Sequence, residues 1–190
     1  MTTHRLKDLI RITSCFLALT LCLWGLPTAA SAAPVIRTPH WGSWQTRTIT
    51  YHYPGKSTYY RSIWRQAATQ WNRTGAIRLK RVQRARHADV VVKTANVGMT
   101  YSGRTHYRYR PQKNGHVIVA AKATLNHKVL STYRYTKQQR INVAAHEIGH
   151  AIGLGHSKCP KSVMHATNRH ARVNRQDRLA LKRAYKSQGS

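Results

Sequence analysis

The order of apolar and polar positions along the chain predicts its elements one after another. Thr48 to Tyr53 (TITYHY) alternates β-branched and aromatic residues, which predicts a strand closed by Pro54-Gly55. After Ser57, apolar residues fall at Tyr60, Ile63, Trp64, Ala67 and Trp71, the spacing of an amphipathic helix, with Gly75 as its stop. Ile77 to Val82 alternates apolar and basic residues, as an edge strand does, and Asp89 to Lys93 (DVVVK) reads as a more buried strand. Residues 97–115 are polar, carry glycines at 98, 103 and 115, and predict a long loop before a strand over His116 to Leu125. Thr136 and Gln139 form a capping-box pair that opens a helix with the stripe Ile141, Ala144 or Ala145, Ile148 and Ile152. A last helix starts near Asn174, with Asp177 in its first turn and Leu181, Ala184 and Tyr185 on one face. The order β-α-β-β-β-α-loop-α, without internal repeats or a linker, predicts a single α+β domain.

Before that domain the pattern changes. Arg5, Lys7 and Arg11 precede an uncharged apolar run from Ile12 to Leu26, followed by Pro27 and the small residues Ala30-Ser31-Ala32. This is the order of a secretory signal peptide over residues 1–32, with the mature chain starting near Ala33. The run is shorter than the ~20 residues that span a bilayer, so no transmembrane segment is expected after cleavage. Cys15 precedes the apolar run, which argues against lipid attachment. Residues 33–47 carry two prolines and little periodicity and read as an extended lead-in to a domain at 48–190.

Composition narrows the chemistry. The 190 residues hold 33 Lys+Arg against 4 Asp+Glu, a formal charge of +29. Without residues 1–32 the balance is 30 against 3, or +27. So few acids exclude a carboxylate-built calcium site and paired-carboxylate glycosidase chemistry. Cys159 is the one cysteine left after residue 32, so no internal disulfide is available, and packing, with a metal, must hold the exported domain. The charge predicts salt-dependent attraction to anionic cell-wall polymer and to acidic peptides. Tyr107, Tyr109, Tyr133 and Tyr135 interleave with Arg108, Arg110 and Arg134, a pattern that suits nucleobase stacking. Export argues against nucleic acid as the partner.

The chemistry concentrates in residues 146–156, His-Glu-Ile-Gly-His-Ala-Ile-Gly-Leu-Gly-His. His146 and His150 stand four apart on the predicted helix, so their imidazoles share a face and can grip one ion. Ile148 and Ile152 bury the opposite face. Gly153 can take the positive φ that ends a helix, and the turn brings back His156 as a third ligand. Three neutral imidazoles with one position left for water describe an open catalytic Zn2+ site. Glu147, the chain's single Glu, lies between the two helical histidines and is the candidate general base. At this composition the combination arises by chance at roughly one in a hundred thousand.

This HExxHxxGxxH motif resembles the metzincin metallopeptidases, and Ser157 directly after the third histidine resembles the matrixins among them. Ser162-Val163-Met164 looks like the family's Met-turn, and Ala88-Asp89-Val90-Val91 is similar to its ADI-type strand. Trp71-Asn72-Arg73-Thr74 resembles the end of the first helix, and Gln176-Asp177 with Tyr185 matches the C-terminal helix. The likeness, to a small secreted matrixin of prokaryotic type, spans about residues 48–185. It implies a zincin-like fold: a twisted, mixed but mostly parallel sheet, an active-site helix and a C-terminal helix. It also implies an antiparallel edge strand, placed at 116–125, that binds extended peptide above the zinc. Met164 would then form a hydrophobic floor under the metal, and Asp177 would anchor the last helix beneath the site. Ala166 departs from the Pro that animal matrixins carry after the Met-turn. The lead-in has no cysteine to block the zinc, and acids are missing for the family's calcium sites and structural zinc site. His106, His116 and His127 are the residues available to a second zinc, though they read better as surface or core histidines.

The resulting expectation is a secreted, monomeric zinc endopeptidase acting on protein or peptide. The rival readings are a basic envelope- or nucleic-acid-binding protein with a non-catalytic zinc, and a peptidase of cell-wall peptides.

Overall fold

The computed structural model describes residues 38–112 and 115–186; the signal peptide read at 1–32 lies outside them. Five strands form one sheet: β1 (Thr48–His52), β2 (Arg78–Arg81), β3 (Val90–Ala95), β4 (Gly103–Gln112) and β5 (Gly115–Asn126), in the order β2-β1-β3-β5-β4. Four helices accompany them: α1 (Thr58–Asn72), α2 (His127–Thr132), α3 (Lys137–Ala151) and α4 (Arg175–Ala184). β1 pairs in parallel with β2 and β3, β3 pairs in parallel with β5, and β4 runs antiparallel to β5. This is the mixed, mostly parallel sheet of the expected α+β domain.

The helices form where local signals are strongest. Ser57 caps α1, whose buried face carries Tyr60, Ile63, Trp64, Ala67, Ala68 and Trp71. That face lies on α3, and Trp71 Nε1 donates to the carbonyl of Ala145 at 2.8 Å, one residue before His146. α3 opens with the Thr136–Gln139 capping box and is buried along most of its length. Its end carries two carbonyls satisfied from outside the helix: Trp44 Nε1 donates to Ala151 at 2.9 Å and Tyr185 Oη to Ile152 at 3.1 Å. Residues from the lead-in and from the end of α4 thus hold the helix that presents the histidines. The lead-in also bridges His40 to Leu154 and Ser43 to Val117.

Two expectations are corrected at one edge of the sheet. Residues 97–115, read as a loop, contain β4. The strand read at 116–125 as the antiparallel edge is interior: β5 is covered on one side by β3 and on the other by β4, which is the antiparallel edge strand. The reason lies in burial. β4 carries no fully buried position along its length, so the alternation of Thr105, Tyr107 and Tyr109 with His106, Arg108 and Arg110 marks no core-facing side and reads as polar loop, and ladder hydrogen bonds to β5 create the strand. The short α2, capped by the Asn126 side chain, is a further element that the sequence reading does not anticipate. At the opposite edge β2 has one buried residue, Leu79, among basic ones, as expected for an edge strand.

Candidate metal centre and catalytic site

α3 brings His146 and His150 onto one face, and its end brings the third histidine. Gly153 stands just past the helix at φ +98°, and its N–H donates to His150 while that of Leu154 donates to Gly149, each at 3.0 Å. This paired closure is a Schellman motif, which needs a residue free to adopt positive φ. The chain leaves it antiparallel to the lead-in, with Trp41 N–H on the Gly153 carbonyl and Gly155 N–H on that of Pro39, both at 2.9 Å. His156 follows directly. The next residue, Ser157, is tied by its N–H to the Met164 carbonyl at 2.9 Å.

The three rings converge. His150 Nε2 lies 3.0 Å from His146 Nε2 and 3.2 Å from His156 Nε2. Ligands around a tetrahedral zinc at ~2.05 Å stand about 3.3 Å apart, close to these separations. The other nitrogens decide the tautomers. His146 Nδ1 lies 2.8 Å from the Val163 carbonyl and His150 Nδ1 lies 2.9 Å from the Leu154 carbonyl. A carbonyl oxygen only accepts, so each Nδ1 bears the proton and each Nε2 presents a lone pair. Two facing lone pairs cannot hydrogen-bond to one another, so the cradle fits a cation, and imidazole donors suit zinc. Burial pushes the His146 pKa down to about 3, with His150 adding to the effect, and that of His150 to about 4. Both rings are therefore unprotonated near neutrality, the form in which an imidazole can hold a metal.

Glu147 is buried in the wall of a cavity of about 460 Å³ that also exposes the three histidines. Its Oε2 lies 2.7 Å from Thr105 Oγ1, which is 2.9 Å from the Glu147 backbone carbonyl. When the carboxylate is ionised the hydroxyl donates to it; when it is protonated the carboxyl donates to the hydroxyl, which then turns to the carbonyl. Gly103, two residues earlier on β4, leaves the room that Glu147 fills: a Cβ there would lie 2.5 Å from Oε1. Burial raises the Glu147 pKa to about 7, against the opposing hydrogen bond from Thr105. Sequence reasoning misses Gly103 and Thr105, because their strand reads as a loop.

Beneath the histidines, Met164 is fully buried and its sulfur occupies the space a side chain at Gly149 would need. Asp177, also fully buried, holds this turn to α4. It accepts from Ser162 Oγ, from Val163 N–H at 3.1 Å and from Asn174 N–H at 3.0 Å. The carbonyl of Val163 is the one that orients His146, so Asp177 acts on the metal centre through one residue. Of the remaining sequence candidates, His116 Nδ1 lies 3.1 Å from the Trp41 carbonyl and His127 Nδ1 lies 2.7 Å from Tyr60 Oη. His106 is exposed on β4, and Cys159 is buried with a free thiol. Among the described residues His146, His150 and His156 form the one group of three potential ligands, within 4.8 Å of one another.

A pH dependence follows for the metal-free protein. The folded-state pKa values of both histidines lie below the ordinary 6.5, so between about 4 and 6.5 the unfolded chain binds more protons and acid destabilises the fold. Glu147 opposes this: its raised pKa favours the folded state below about 4.5, and that contribution is lost as pH rises to about 7. Where the windows overlap two groups outweigh one. The metal-free melting temperature should fall as pH drops from 6.5 to about 5 in a thermal melt; a rise would contradict the burial of the histidine pair.

Comparison with protein families matches residues 43–186 to the family model described as Matrixin. No curated protein matches the chain.

Proposed function

Because the chain belongs to the matrixin family, whose members are zinc metallopeptidases, we propose that it is a secreted endopeptidase with Glu147 as general base and His146, His150 and His156 as zinc ligands. One observation carries the reading: three Nε2 atoms converge on a single point in a cavity that also holds a buried carboxylate. Zinc, when bound, supplies Lewis acidity that polarises a peptide carbonyl and acidifies water.

The chain's own groups do the rest. The carbonyls of Val163 and Leu154 keep His146 and His150 in the ligating tautomer. Thr105 holds the carboxyl of Glu147 and serves it in either protonation state. A carboxyl with its pKa near neutrality can take the proton of the attacking water and deliver it to the departing amine. Met164 closes the floor beneath the helix turn. The three histidines have no fourth protein ligand among the described residues, whereas structural zinc sites are usually closed by one. That weighs against a merely structural zinc in a basic binding protein.

The export leader at 1–32, the lead-in at 33–47 and the peptidase domain at 48–190 complete the reading. No helix among the described residues is long and apolar enough to cross a membrane. The charge of +27 supports retention at an anionic cell envelope and a preference for acidic peptides.

The test is digestion of an unstructured acidic protein by the purified mature chain, expected to stop with a chelator and to resume with zinc. Cleavage that survives full metal removal, or no cleavage by the zinc-loaded protein, overturns the reading. Release of wall peptides without protein cleavage would move the activity to cell-wall cross-links.

A further inference from the structure

β4 continues past the catalytic cavity with a row of rings that the proposed chemistry does not use. Strand alternation places Gly103, Thr105, Tyr107 and Tyr109 on one face of β4. The register shift between Arg108 and Tyr109 skips Val119 of β5, so the alternation of β4 itself is unbroken. Gly103 and Thr105 touch Glu147; the next two positions are tyrosines, 40% and 48% exposed. Trp41 stacks on Tyr107 with centroids 3.8 Å apart and planes at 22°, and meets the edge of Tyr109 at 6.2 Å. His116 closes against Tyr109 at 4.4 Å. The backbone of Trp41 is bonded to Gly153, in the turn that delivers His156, so this shelf and the metal site share one support.

Large exposed rings that stack on one another rather than turn inward mark a surface that binds. Their position names the occupant. β4 ends the sheet, so its outer edge is open to an added strand. An extended peptide lying antiparallel to β4, with its cleaved bond beside Glu147, passes Tyr107 about 7 Å and Tyr109 about 14 Å beyond Thr105. With the residue just after the bond opposite Thr105, those distances place the second and fourth residues before the bond opposite Tyr107 and Tyr109. Arg108, between the tyrosines, projects to the other face and is exposed. The acids of the described domain, Asp89, Glu147 and Asp177, are all engaged by hydrogen bonds, so none competes for it.

We infer that Trp41, Tyr107 and Tyr109 form a substrate shelf that selects apolar, chiefly aromatic, side chains two and four residues before the cleaved bond, with an acidic residue favoured between them opposite Arg108. This deepens the peptidase reading and rests on it.

The experiment compares zinc-loaded mature protein on three peptides sharing one cleavage site: one ending a single residue upstream, one extended with alanines, and one extended with Phe-Glu-Phe. The Phe-Glu-Phe peptide should have a kcat/KM about tenfold above the alanine peptide. Tyr107→Ala and Tyr109→Ala should each shrink that ratio towards one. Binding of the same peptide to the Glu147→Gln protein should change Trp41 fluorescence, an independent readout that stands should a tyrosine variant not fold. Equal cleavage of both extended peptides overturns the shelf and leaves the peptidase intact. A fluorescence response to a wall glycan but not to the peptide overturns it as well. Cleavage of none of the three removes both.

Discussion

Replacing Glu147 by Gln should lower peptide hydrolysis by about 10³- to 10⁴-fold while leaving zinc bound in full. The carboxyl is buried, fits against Gly103 and meets Thr105 at 2.7 Å. Glutamine keeps that shape and retains an oxygen that can accept from Thr105, but it has no basic oxygen to take a proton from water. It also removes a carboxyl whose ionisation burial already opposes, as the rise of its pKa to about 7 records. The melting temperature should therefore hold or increase. Steady-state kinetics, metal analysis and a thermal melt on one preparation check the three statements together. Turnover close to that of the unmodified protein would remove Glu147 from the chemistry; loss of zinc would make its part structural.

The second large effect is expected far from the cavity mouth. Asp177→Ala should destabilise the fold by about 3 kcal/mol or more, because it strands buried donors: the Ser162 hydroxyl and the N–H groups of Val163 and Asn174. It should also weaken zinc binding by roughly 10- to 100-fold, since the Val163 carbonyl then loses the anchor that aims it at His146 Nδ1. Burial raises the pKa of Asp177 despite these partners, so its protonation in acid favours the folded state and does not reproduce the defect of truncation. Denaturant unfolding with and without zinc, alongside competition for zinc with a chelator, separates the two losses. Unchanged zinc affinity in a folded variant would break the proposed line from α4 to the metal.

The parts of this site that the sequence makes legible are the parts built within one or two helical turns. His146 and His150 are paired by the 3.6-residue repeat alone, and Gly153 marks the turn because the Schellman geometry needs its positive φ. The caps at Thr136 and Asn174 are equally local, each a side chain reaching a backbone two or three residues on. The Met-turn and Asp177 are placed by likeness to matrixins, and the structure supplies the hydrogen bonds that explain why those residue types stand there.

What only the folded chain decides depends on pairing between distant segments. β4 is mostly exposed, so the alternation of Thr105, Tyr107 and Tyr109 with basic residues marks no buried face, and the glycines and charges around it read as a polar loop. Its ladder with β5 makes it the edge strand and moves β5 to the interior. That one pairing brings Thr105 to Glu147 across 42 positions and sets Tyr107 and Tyr109 in line with the catalytic cavity. Local periodicity therefore chose the proposed ligands and the proposed base. The partners that orient them came from sheet pairing and burial, whose free energy resides in contacts between residues that share no neighbourhood along the chain.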